Sequence, residues 1–260
     1  MPLDFVSTHV YGNDTADNVF KTNENIPRSR MVCRAVKMVH DQIKSSQRPN
    51  MPLIWSEYNA AYDNTVEVTD SIYMGPFMAN TISQCDGLTQ AMSYWSVSDV
   101  FEEQGVVKTP FYGGFGLIAA GGIPKPAFNA FALLHGLGEQ RLANTAAGTL
   151  VTRRSDGALV LALWNYAEAR QQSALRKVTL RFSHSDARSV SAQSIDDEHG
   201  NVRPAYERMG APRYPTQREL AQLREAAALP AAVIRPLQSG ELELEIPSDG
   251  LVLVTVAAGS

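Results

Sequence analysis

Three times in the first hundred residues, a short apolar run breaks off in groups capable of chemistry. DFVSTHVY (4–11) ends on an imidazole and a phenol, MPLIWSEYN (51–59) on a carboxylate, a phenol and an amide, and GLTQAMSYWSVSD (87–99) on hydroxyls and Asp99. Between the first two lies RSRMVCRAVKMVHDQIKSS (28–46), where Val32, Val36, Val39 and Ile43 recur at helical spacing and predict a helix with one face turned inward. A second helix is expected around 73–84 (YMGPFMANTISQ). A third is expected over 124–138 (PKPAFNAFALLHGLG), with proline near its start and glycine at its end. Strands alternating with helices, each strand closing on polar residues, are the pattern of a βα barrel or a doubly wound sheet. In both, chemistry gathers at the carboxyl ends of the strands, where His9, Glu57 and Asp99 fall.

Near residue 145 the pattern changes. GTLVTRRSDGALVLALWNYAE (148–168) reads as two strands around a Ser-Asp-Gly turn, a hairpin signal. KVTLRFSH (177–184), SVSAQSID (189–196), GELELEIPS (240–248) and GLVLVTVAA (250–258) continue in strand-like runs, and GELELEI alternates as a half-exposed strand should. One helix interrupts them, TQRELAQLREAA (216–227), with Thr216 and Glu219 spaced as a capping box. The expected organisation is an α/β segment over 1–145 followed by an all-β sandwich over 146–260 with a short helical insertion.

Composition narrows the function classes. The chain has 260 residues, 44% hydrophobic and 19% charged, with a formal net charge of −4 and no block of like charges, which gives nucleic acid or an anionic membrane nothing to grip. No apolar stretch approaches the roughly 18 residues that span a bilayer. The opening MPLDFVSTHVYG lacks the basic start and apolar run of a secretion signal, which favours the cytoplasm unless the native start lies upstream. Cys33 and Cys85 form no CxxC pair and read as buried free thiols in a reducing compartment. The five histidines show no metal-ligand spacing and no glycine loop is built to cradle phosphate, so neither metal nor cofactor is expected. His40 and His135 read as helix-surface or packing residues, and His199 as a loop residue.

A glutamate at a strand end is ordinarily solvated or salt-bridged, and Glu57 draws attention through its surroundings. Trp55, Tyr58 and Asn59 flank it, and the next strand runs into YWSVSDVFEEQG (94–105), which interleaves Trp95 and Phe101 with Asp99, Glu102 and Glu103. Aromatic faces beside carboxylates suit a sugar, whose C–H faces stack on rings while its hydroxyls donate to acids. A packed tryptophan beside a solvated acidic turn would give the same letters.

DFVSTHVYGND, PLIWSEYNAAY, DGLTQAMSYWSVSDVFEEQG, PFYGGFGLI and PKPAFNAFALLHGLG, in this order, resemble consecutive blocks of the glycoside hydrolase family 39 β-xylosidases, and IDDEHGNVRPAYERMGAPRYPTQRELAQLREAA resembles that family's C-terminal region. The resemblance covers nearly the whole chain. It implies a retaining enzyme on a (β/α)₈ TIM barrel with an accessory β-sandwich, of which this chain would be the C-terminal part. In such enzymes two carboxyl groups about 5–5.5 Å apart share the work, one as nucleophile and one as acid/base. Glu57 falls on the family's nucleophile, at the end of the seventh barrel strand, and Tyr11 is placed to orient it with a hydrogen bond. His9, Trp95, Glu102 and Glu103 correspond to positions lining the glycone pocket. Trp95 and Phe101 would offer apolar surface, and Glu102 and Glu103 would accept hydrogen bonds from hydroxyls. The family also includes α-L-iduronidases, whose substrate carries a carboxylate. A site lined by Glu57, Glu102 and Glu103 with no basic residue among the strand-end motifs fits a neutral pentoside better, a xylo-oligosaccharide or other β-xyloside.

The resemblance also shows what the sequence does not contain. The family's acid/base glutamate sits in an Asn-Glu-Pro block after the fourth strand, and no such block occurs here. The first motif already matches the sixth strand, and a barrel takes about 200–250 residues. Three barrel strands alone would expose an apolar edge and the inner faces of helices. A homo-oligomer or a second chain completing the barrel, a shortened product folding mainly in its sandwich, and a gene start placed too late are the competing explanations. The chain is expected to be inactive alone. The rival reading is a non-catalytic carbohydrate-binding or assembly fragment.

Overall fold

The computed structural model describes residues 3–101, 105–183 and 187–258. β1 (Val6–Tyr11), β2 (Leu53–Asn59) and β3 (Ala91–Tyr94) form a parallel sheet in the order β1-β2-β3. Beyond β3 the chain continues alongside residues 115–118, with a parallel bridge between Ser98 and Ile118. α1 (Ala16–Phe20) follows β1. α2 (Arg28–Lys44) then crosses to β2, burying Met31, Val32, Ala35, Val36 and Ile43, so the expected inward face is the observed one. After β2 come α3 (Val66–Thr69) and α4 (Met74–Cys85). α4 is buried nearly all round, because α2 lies on one side and the second sheet on another.

One face of the parallel sheet is core. Val10, Leu53, Trp55 and Tyr58 are at most 4% exposed and pack with α2 and α4. The opposite face carries Ser7, His9, Ser56, Ala91 and Ser93, all exposed. Among the described residues no strand pairs with the outer side of β1, and Leu3 and Phe5 before it are 61% and 51% exposed. The bare sheet face is thus small and polar, and the exposed apolar groups lie at the start of the free edge.

β4 (Ile118–Ala119) and β5 (Ile123–Pro124) make a small ribbon ahead of α5 (Pro126–Leu134), whose first-turn proline fits the sequence expectation. The antiparallel part follows: β6 (Gln140–Leu142), β7 (Thr149–Arg153), β8 (Leu159–Trp164), β9 (Arg176–Arg181), β10 (Ser189–Ile195), β11 (Val233–Pro236), β12 (Glu241–Ile246) and β13 (Leu251–Val256). Six of these form one sheet in the order β11-β10-β13-β8-β7-β6, and β9 and β12 pair as a separate ribbon. β8 and β13 are apolar at nearly every position because both of their faces are covered. Val160, Ala162, Trp164, Leu251 and Leu253 belong to the core shared with α4 and α5, while Leu161, Leu163, Val252 and Val254 meet Leu242, Leu244 and Ile246 of the ribbon. GELELEI keeps its alternation, with Leu242, Leu244 and Ile246 inward and the glutamates outward.

α6 (Arg203–Arg208) and α7 (Gln217–Ala227) form the helical insertion. The Thr216–Glu219 capping box is present, and Asn129 of α5 fastens the insertion by donating to Gly200 O and Ala227 O at 2.8 and 2.7 Å.

One expectation is overturned. Cys33 and Cys85 are joined in a disulfide, with their Cα atoms 5.3 Å apart across 52 positions. α2 and α4 pack side by side, and that tertiary neighbourhood has no signature in the spacing of two lone cysteines. Disulfides persist in oxidising surroundings, so the thiols no longer support a reducing compartment.

Candidate active site

Glu57 is the fifth residue of β2, half-buried, and its Cα partner on β1 is His9, where the register shifts between Thr8 and His9. Two residues further along β1, the Tyr11 phenol donates a hydrogen bond to Oε2 of Glu57. The His9 and Tyr11 rings meet edge-on at 6.3 Å, and Tyr62, from the loop after β2, meets Tyr11 edge-on at 6.4 Å. On the other side, the Trp95 N–H donates to Tyr58 O at 3.0 Å, which sets Trp95 at the carboxyl end of β3 beside that of β2. Tyr58 and Tyr94 meet edge-on at 5.9 Å on the helix side, and burial raises both phenols well above their ordinary range. Alternation along each strand then turns Glu57 and Trp95 to the opposite face. The Phe101 ring stands edge-on to Trp95 at 5.7 Å.

Glu57, Tyr11, His9, Trp95 and Phe101 therefore collect at one end of the sheet. Glu102 and Glu103 lie outside the described residues. Trp55 and Tyr58, which flank Glu57 in sequence, belong to the core at 1% and 2% exposure. Asn59 is buried with its amide donating to Trp95 O at 2.6 Å and its Oδ1 accepting from the Ala60 N–H at 2.6 Å, so it shapes the end of β2. Asp99 is also withdrawn from the site. It is fully buried, and Lys125 Nζ stands 3.1 Å from its Oδ2. Burial pushes its carboxyl up to about 6, opposed by the Lys125 charge and reinforced by Asp70. Sequence reading missed Lys125 and Asp70. The density of glycine in FYGGFG was the available signal, because a loop pressed against buried side chains needs residues without Cβ atoms.

A carboxylate fixed by a phenol, with an imidazole at its register position on the neighbouring strand and an indole residue at the end of the next, can serve as a nucleophile or base toward a ring-shaped substrate. Among the described residues no group of three or more His, Cys, Asp or Glu side chains could hold a metal ion.

Residues 1–242 match the family model described as glycosyl hydrolases family 39. The chain is 32% identical over 252 residues to a β-xylosidase of Geobacillus stearothermophilus, covering 95% of this chain and 50% of that protein. It is 28% identical over 238 residues to a β-xylosidase of Caldicellulosiruptor saccharolyticus, covering 88% and 48%. A solved structure of a family 39 β-xylosidase from Caulobacter crescentus superposes with a TM-score of 0.80 at 26% identity, covering 99% of this chain and 52% of the other. The chain thus spans about half the length of the relatives it matches, and it belongs to glycosyl hydrolases family 39.

Proposed function

We propose that this chain is the nucleophile-bearing part of a retaining β-xylosidase, with Glu57 as the nucleophile. The observation that carries this is the placement of Glu57, oriented by Tyr11, at the carboxyl end of a parallel strand with Trp95 at the end of the next. A Glu57 oxygen attacks the anomeric carbon, the bond to the leaving oxygen breaks as that oxygen takes a proton from an acid, and water later releases the sugar from the covalent glycosyl-enzyme. Trp95 and Phe101 supply apolar surface to the sugar ring, and His9, with Glu102 and Glu103 in the adjoining segment, binds its hydroxyls. With Glu57, Glu102 and Glu103 among these groups and no lysine or arginine beside them, the substrate is a neutral β-xyloside or xylo-oligosaccharide.

In this reading β1, β2 and β3 are strands six to eight of a (β/α)₈ barrel, and the antiparallel part is its accessory β-sandwich. The uncovered small-polar face of the sheet is the barrel interior, and the free edge of β1 is the seam for the fifth strand. A cleft of about 500 Å³ beside that edge, lined by Thr8, His9, Tyr11, Met38 and Val39, and an apolar one of about 510 Å³ lined by Leu3, Val6, Val39, Ile43 and Met51, mark the contact for the remaining strands. These strands, with the proton donor, come from a second, different chain or from a longer form of this one. General acid assistance is worth about 10²–10⁴-fold, so the chain alone is inactive toward xylosides with poor leaving groups.

The test is hydrolysis of an aryl β-xyloside by this chain assembled with a fragment supplying the first five strands, beside the same assembly carrying Glu57→Ala. Turnover abolished by the substitution is expected. Turnover that survives it removes Glu57 from the nucleophile's role.

A further inference from the structure

Asp70, Asp99 and Lys125 come from three separate stretches, and all three are fully buried. The Lys125 ammonium, at the residue before α5, lies 2.6 Å from Asp70 Oδ1 and 3.1 Å from Asp99 Oδ2, and it donates to Gly114 O at 2.7 Å. Burying charge is costly even when it is paired, and well-packed apolar side chains of similar size stabilise a fold as well or better. The cluster therefore calls for a reason other than stability.

That reason is visible in what rests on it. The Gly113 N–H donates to Asp70 Oδ2 and the Gly116 N–H to Asp99 Oδ1, each at 2.6 Å. A Cβ on Gly114 would collide with the Asp99 carboxylate, and one on Gly116 with the Asp99 backbone. The FYGGFG loop is thus moulded onto the three charges. From the loop, hydrogen bonds continue to the end of β3. Phe115 O accepts from the Ser96 N–H, Ser96 O accepts from the Leu117 N–H, and Leu117 O accepts from the Lys125 N–H, each at 2.9 Å. Asn59, two residues after Glu57, closes the circuit by donating to Trp95 O at 2.6 Å and to Phe115 O at 3.3 Å.

We propose that Lys125 is a positioning residue for the site: its ammonium fixes the 111–117 loop, and that loop holds the Trp95–Ser96 backbone so that the indole stays on the Glu57 face of the sheet. The proposal rests on the β-xyloside reading only for what the indole touches.

The experiment is tryptophan fluorescence quenching by succinimide, a bulky neutral quencher. Trp55 and Trp164 are only 1% and 5% exposed, so the quenched component belongs to Trp95, and Trp95→Phe verifies this. The double variant Lys125→Met with Asp99→Asn removes the clasp while keeping the cluster's net charge at one negative. It is expected to remain cooperatively folded and to raise the quenching constant by about twofold or more through local opening. Gly114→Ala leaves all three charges in place but pushes the loop off them, and the same rise is expected. Native-like quenching in either folded variant overturns the proposal, as does loss of cooperative folding in both. Protection of Trp95 from the quencher by xylobiose is a separate readout on a completed assembly. Its absence counts against the sugar reading and leaves the positioning role intact.

Discussion

Tyr11 on β1 donates its phenolic hydrogen to the Glu57 carboxylate on β2, linking two residues 46 positions apart across adjacent parallel strands. A half-buried side-chain hydrogen bond of this kind contributes about 1 kcal/mol. A double-mutant cycle with Tyr11→Phe and Glu57→Ala, read from urea unfolding, should show a coupling of about that size. Strict additivity would mean that the contact does not hold the carboxylate.

Asp99 gives stability a pH dependence of known sign. Burial raises its folded-state value to about 6 from an ordinary 3.8, with Lys125 opposing and Asp70 adding. The native state holds this proton more tightly than the unfolded chain, so the contribution is fully present below the unfolded value and is lost as pH rises through about 6. Asp249, also raised to about 6 by burial, acts in the same direction. Asp99→Asn should remove its share, up to about 3 kcal/mol of difference between acid and neutral pH. Urea midpoints at several pH values between acid and neutral, compared with the native chain, measure it. An unchanged pH slope would contradict the burial argument.

The Cys33–Cys85 bond closes a loop across 52 positions between α2 and α4. In the chain-entropy picture a loop of that size stabilises the fold by about 4 kcal/mol. Reduction, or Cys85→Ser, should lower the melting temperature sharply, and thiol titration of the denatured, unreduced protein should find no free thiol. Two titratable thiols would contradict the pairing.

Local features with a period or a cap were legible in the sequence. Val32, Val36 and Ile43 announced α2, Thr216 and Glu219 announced α7, and GELELEI announced an alternating strand. Elements too short to show a period were not, including β4, β5 and β6 at two or three residues each. Glu57 and Tyr11 were visible because their blocks resemble a family, and the hydrogen bond between them follows from parallel pairing. Asp99 was misread as a group at the working end of a strand. Its burial depends on Lys125, 26 positions later, and nothing local announces a partner at that distance. Trp55, which flanks Glu57 in sequence, does not flank it in space: alternation turns the indole to the helix side while Glu57, two positions on, is carried to the open face beyond the register shift in β1–β2 pairing.

The most direct measurement is release of xylose from xylobiose by the isolated chain, run beside Glu57→Ala under identical conditions. The expected result is no hydrolysis above the variant, because in the proposed reading Glu57 supplies the nucleophile while the proton donor and the remaining barrel strands must come from elsewhere. Xylose release that disappears with Glu57→Ala would contradict this, showing that the isolated chain already assembles a complete site.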